Sequence, residues 1–111
     1  MDILFRERKF EKQCNRFGLL VRAHGERRAR VIRTRLDALR AAVNLEDLRN
    51  APGRLHELKG DRKGQFSLDL DHPYRLLFTP HHRPVPLTAD GGVDWSGVAA
   101  VRILGIDDTH E

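Results

Sequence analysis

Three stretches of the sequence combine residue types that can move protons or hold a phosphate. In Arg54-Leu55-His56-Glu57-Leu58-Lys59 an imidazole, a carboxylate and an ammonium follow one another closely. Histidine is the side chain best suited to exchange protons near neutral pH. The plainer alternative is a surface histidine beside a salt-bridging lysine. Strict strand alternation would put His56 and Lys59 on opposite faces, so they converge only if the strand bends where the glycine turn begins.

That turn, Lys59-Gly60-Asp61-Arg62-Lys63-Gly64, brackets cations between two glycines. Backbone N–H groups and positive side chains in such a turn can face a phosphate; the alternative is an ordinary charged hairpin. It is not a Walker loop, because the G-x-x-x-x-G-K-[ST] spacing is missing and no helix is predicted to follow. Further on, Asp107-Asp108-Thr109-His110 sets carboxylates near a histidine. Such a carboxylate can orient an imidazole or complete an acid–base set; the alternative is a frayed polar terminus.

Metal chemistry is not expected. The six histidines, at 24, 56, 72, 81, 82 and 110, form no H-x-x-x-H pair, and Cys14 has no Cys-x-x-Cys companion. G-x-G-x-x-G, G-x-S-x-G and a Cys–His nucleophile pair are also missing, and no cofactor of any kind is expected.

The elements that must position these groups can be read from hydrophobic spacing. Ile3-Leu4-Phe5 is a candidate first strand. Phe10, Cys14 and Phe17 recur at helical intervals, which predicts a helix over 6–17 ended by Gly18. A second helix is predicted over 25–43, with Ala29, Ile32, Leu36, Leu39 and Val43 forming one apolar core stripe and arginines covering much of the remainder. Asn44 is placed to cap a short helix at 45–48. Residues 54–58 look strand-like. Phe66, Leu68 and Leu70 alternate with polar residues, as do Tyr74, Leu76 and Phe78 with their neighbours, predicting antiparallel strands over 65–70 and 74–79. Residues 80–97, with three prolines and Gly91-Gly92, are predicted to be a long loop. The almost continuous apolar run 98–106 predicts a central strand buried on both faces. Helices followed by a meander imply an α+β class: two N-terminal helices packed on one face of a small, mainly antiparallel sheet, in a single domain over 1–111.

Composition narrows the function. The 111 residues carry a formal net charge of +4, unevenly spread. Residues 1–40 hold twelve Lys or Arg against five Asp or Glu, while 90–111 hold one against five. A basic first half suits a polyanion, nucleic acid or an acidic partner chain; the alternative is a well-solvated arginine-rich helix. Cys14 is the one cysteine, so no internal disulfide can form, which suits a reducing cytosol. The first residues do not resemble a signal peptide and no stretch approaches a membrane span, so a soluble cytoplasmic protein with no membrane partner is expected.

Taken together, the run from Arg54 to Leu68, the strand Tyr74-Arg75-Leu76-Leu77-Phe78, the ending Ile106-Asp107-Asp108-Thr109-His110 and the basic helix around Arg35-Leu36-Asp37-Ala38-Leu39 resemble HigB-type toxins of the RelE/ParE toxin–antitoxin superfamily. The likeness spans nearly the whole chain. It implies a compact α+β fold and a ribosome-dependent endoribonuclease, an mRNA interferase that cuts messages in the ribosomal A site. It also implies a HigA-like helix-turn-helix antitoxin through which alone the toxin reaches operator DNA. The family's functional histidine, lysine and terminal pair carry over to His56, Lys59, Asp108 and His110 as the catalytic set. Arg54, Arg62, Lys63, Arg75 and Thr109 carry over as RNA or phosphate contacts. Where better-known relatives have a tyrosine this chain has Thr109, which keeps a hydroxyl on a shorter stem and has no ring to stack on a base. The 80–97 loop is also longer than in compact relatives. Two further functions compete: a non-cleaving module that binds nucleic acid and antitoxin, and a gyrase-inhibiting toxin of the ParE branch.

Overall fold

The computed structural model describes residues 1–108. Strand β1 (Asp2–Phe5) leads into three helices, α1 (Arg8–Asn15), α2 (Phe17–His24) and α3 (Glu26–Ala41). Four more strands follow: β2 (His56–Glu57), β3 (Phe66–Asp69), β4 (Tyr74–Pro80) and β5 (Ala100–Asp108). The sheet order is β1-β5-β4-β3-β2, antiparallel except where β1 runs parallel to β5.

The alternating pattern decides the two faces of this sheet. Phe66 and Leu68, Leu76 and Phe78, and Val101 and Ile103 are buried in one cluster with Ala29, Ile32, Leu36 and Leu39 of α3. Burying each of these side chains other than that of Ala29 is worth about 1.5–3 kcal/mol. The intervening residues Ser67, Asp69, Arg75, Leu77 and Arg102 must therefore point to the opposite, open face. Leu77 is buried yet lies outside that cluster, so the open face has its own apolar floor.

Several sequence expectations change in detail. The helix expected over 6–17 is broken at Arg16, whose backbone is extended, and Gly18 lies inside α2 instead of ending α1. The break lets α2 turn its own apolar face inward: Leu20 is buried, and Phe17 sits under the Arg33 guanidinium at 4.0 Å. Three helices thus precede β2, where two were expected. Helix α3 stops at Ala41, so Ala42 takes the next core position and Val43 is 75% exposed.

Asn44 precedes a 3-10 turn at Leu45–Leu48 but makes no capping bond, and Asp47 accepts the Val43 N–H instead. Arg54 adopts a positive φ of 49°, which leaves only His56 and Glu57 in β2. Strand β5 is interior, next to the edge strand β1, with β4 at the centre, and only one of its faces is buried, because Arg102 is exposed between Val101 and Ile103. The 80–97 segment is anchored. Leu87 pairs with Val93, Trp95–Gly97 forms a 3-10 turn, and the Trp95 indole packs edge-on against Phe66 and donates to Glu57 at 3.0 Å. No helix among the described residues is long and apolar enough to cross a membrane.

Candidate functional site

The sheet register brings several of the candidate residues to the open face. His56 of β2 pairs with Ser67 of β3, Ser67 with Leu77 of β4, and Leu77 with Gly105 of β5. One row over, Asp69 pairs with Arg75 and Arg75 with Asp107. Cross-strand partners of this kind have side chains close enough to interact.

The result is two neighbouring hollows. The first, of about 300 Å³, is lined by Arg54, Leu55, His56, Asp69 and Arg75. Its exposed imidazole stands beside a three-membered charge cluster: Asp69 accepts from Arg54 Nε at 2.6 Å and pairs with Arg75 Nε at 3.3 Å. The second hollow, of about 320 Å³, includes Arg6, Arg62, Leu77, Gly105 and Asp107. There Arg62 donates to Asp107 and holds its carboxyl below the usual range.

The second hollow is shaped by a bulge. Leu77 opposes Gly105 while Phe78 opposes Ile103, so Leu104 is the extra residue of β5. Gly105 takes a φ of 140°, which side-chain-bearing residues rarely adopt, and the Leu104 carbonyl accepts from Arg6 at 2.9 Å. Bulges of this kind re-aim side chains beside functional sites.

Of the residues singled out in sequence, Arg54, His56 and Arg75 share the first hollow, and Arg62 lines the second. Lys59 and Lys63 flank the 3-10 turn Gly60–Arg62, are exposed, and are not among the residues lining either hollow. Lys59 has an extended backbone at the start of that turn, so the bend comes one residue too late to bring it into the hollow beside His56. Asp108 is the last residue of β5, opposite Tyr74, with its own N–H bonded to Asp107 Oδ1 at 2.8 Å. Thr109 and His110 lie outside the described residues.

Asp69 lies outside every motif singled out in sequence, and Asp107, inside the terminal motif, meets Arg62 instead of orienting a histidine there. Their alternation with inward residues was visible, but the arginines they meet are distant in sequence. The basic helix is also partly committed within the fold. Arg28 bonds Asp71 at 2.9 Å and lies 3.6 Å above the Tyr74 ring, and Arg35 donates to the Asp69 carbonyl at 2.7 Å. Among the described residues, no group of three or more His, Cys, Asp or Glu is placed to hold a metal ion.

In solved structures the fold is similar to a YoeB/ParE toxin from Agrobacterium tumefaciens, with 11% identity, a TM-score of 0.59, and coverage of 99% of this chain and 100% of that one. It is similar to a YoeB-YefM complex from Staphylococcus aureus, at 15% identity and a TM-score of 0.56, covering 100% of this chain and 98% of that one. A YoeB dimer from the same organism gives 17% identity and a TM-score of 0.55, with the same coverage of 100% and 98%. At such identities the likeness is one of fold. No curated protein sequence matches the chain. The family itself comes from the sequence, because residues 8–85, well over half the chain, match the HigB-like toxins. The chain belongs to that family, the RelE-like toxins of type II toxin–antitoxin systems.

Proposed function

We propose that the chain is a ribosome-dependent endoribonuclease that cleaves mRNA in the cytoplasm and inhibits translation, using acid–base catalysis by its own side chains. The observation that carries this reading is the shared hollow of His56, Arg54 and Arg75 on the open face of the sheet. It sets a proton-transfer group beside two guanidinium groups that can hold a phosphodiester.

Cleavage requires the 2′-hydroxyl to lose its proton as its oxygen bonds phosphorus. It also requires the 5′-oxygen to gain a proton as its own bond to phosphorus breaks. His56 and His110 are assigned these two transfers, with Asp108 orienting His110. Arg54 and Arg75, in the hollow with His56, balance the charge that grows on the phosphorane oxygens; Lys59, Arg62, Lys63 and Thr109 are assigned to the flanking backbone. Asp69 competes with the phosphate for Arg54 and Arg75, so RNA must displace a carboxylate to engage both. The partner is a HigA-like helix-turn-helix antitoxin, and the YoeB-YefM complex from Staphylococcus aureus, a toxin–antitoxin pair by its description, supports an antitoxin partner for this fold.

The test is expression of the chain alone with 5′-end mapping of translated and untranslated messages. Growth arrest with cuts confined to translated messages is expected. Arrest with DNA damage and intact messages would identify a gyrase inhibitor, and growth without arrest would identify a non-cleaving binding module.

A further inference from the structure

A third hollow lies on the open face, beyond the two already described. Arg75, Leu77 and Thr79 are successive outward residues of β4, and they line the first, second and third hollows in turn. The third, of about 390 Å³, is lined by Thr79, Pro80, His81, His82, Arg83 and Arg102. Thr79 and Arg102 are direct cross-strand partners.

This end of the face differs from the His56 end in its charge state. Arg54, Arg62 and Arg75 are each paired with a carboxylate. Arg83 and Arg102 are exposed and have no ion-pair partner among the described residues. The segment carrying Arg83 is also fixed in place. His81 N–H donates to the Ala100 carbonyl at 2.8 Å. His82 Nε2 accepts the N–H groups of Ala99 at 3.0 Å and Ala100 at 3.3 Å. Both backbone N–H groups are aimed at the one ring nitrogen, Nε2, which serves as their shared acceptor. The loop start is thereby clamped to the start of β5, and Arg83 is held beside Arg102.

We propose that Thr79, His81, Arg83 and Arg102 form a second phosphate subsite, which holds the backbone of single-stranded RNA at a distance from the His56 hollow. Arg75 and Thr79 are four residues apart on an extended strand, about 13 Å. That span exceeds the separation of neighbouring phosphates on one strand, so a three-nucleotide RNA, with two phosphodiesters, cannot occupy both subsites at once. The hydroxyl of Thr79 and the two guanidinium groups supply donors suited to phosphate oxygens, and none of them must first be released from a carboxylate. The inference rests on the reading of the open face as an RNA surface, and not on cleavage.

The experiment is fluorescence anisotropy with free labelled RNA of twelve and of three nucleotides, over a salt series. It compares the native chain with Arg83→Gln and with Arg83→Gln/Arg102→Gln. Each neutralised contact should lower the slope of log K against log salt by about 0.7. The double variant should bind the twelve-nucleotide RNA about tenfold more weakly at low salt and bind the three-nucleotide RNA as the native chain does. An unchanged slope for the long RNA in both variants overturns the subsite. Preferential binding of polyglutamate, lost in the same variants, overturns it in favour of an acidic protein segment. Cleavage is scored separately by end mapping. Slope changes as stated alongside uncut messages would uphold this subsite while removing the nuclease reading.

Discussion

Arg62, in the turn after β2, holds the carboxylate of Asp107 on β5, 45 residues further along the chain. The contact ties the glycine-bracketed turn to the strand that carries Asp108. It therefore positions one proposed part of the site relative to another, and the turn is not simply a solvated hairpin.

The pH dependence of that tie has a definite sign. Asp107 ionises at lower pH in the folded chain than in the unfolded one, chiefly because Arg62 bonds its carboxylate. Its contribution to stability is complete above the unfolded aspartate value of about 3.9 and is lost as pH falls through the depressed folded value. Asp107→Asn should lower stability at pH 7 by about 0–1 kcal/mol, since the pair is a third exposed. Urea midpoints should fall less steeply between pH 4 and pH 2.5 in the variant than in the native chain. Parallel curves would show that the pair contributes nothing to acid unfolding.

His56 is exposed on a two-residue strand, so its removal should spare the fold. His56→Ala is expected to reduce cleavage of translated messages by at least about tenfold. Its stability should stay within about 0.5 kcal/mol of the native chain. Initial rates of message cleavage, read beside a thermal melt, separate the two effects; native-like rates would remove His56 from the catalytic set.

Asp69 yields a prediction of the opposite sign. Asp69→Asn keeps the side-chain shape but removes the charge shared by Arg54 and Arg75. Affinity for free single-stranded RNA should rise severalfold, and its salt dependence should steepen. Anisotropy titrations at two salt concentrations check this, and weaker binding would show that Asp69 assists the arginines as their positioner.

Cys14 should behave as an inert thiol. Burial pushes its pKa up to about 12, against a smaller opposing pull from Arg40. At pH 8 only about one molecule in ten thousand would carry the reactive thiolate. Iodoacetamide labelling followed by mass spectrometry should be slow in buffer and fast in urea. Rapid labelling of the folded chain would place Cys14 at an accessible surface.

What was legible in the sequence was what depends on local period. Ala29, Ile32, Leu36 and Leu39 announce a buried helical face, and Phe66, Leu68, Leu76 and Phe78 announce the inner face of two strands. Both patterns follow from backbone geometry alone. The end of α3 was harder to read, because Val43 fits the stripe numerically and only the extended backbone at Ala42 excludes it. The site was legible in part: His56, Arg54 and Arg75 do share a hollow. Asp69 carries no sequence signal because its place between Arg54 and Arg75 is set by strand register, and the partner of Asp107, Arg62, is 45 residues away in sequence. Prolines and glycines give residues 80–97 the pattern of a loop, whereas Glu57 fastens the segment through Trp95.

The position of β5 also bears on how the protein is made. Among the described residues it is the last strand in chain order, yet it lies between β1 and β4 and pairs with both. During synthesis β1 emerges first and must wait, without its partner, until residues 100–108 have left the ribosome. A nascent chain can form its helices and the β2–β4 meander, but it cannot yet bring Asp107 to Arg62. Assembly of the open face is thus deferred until β5 is made, because the strands on either side of it, β1 and β4, come together only through β5.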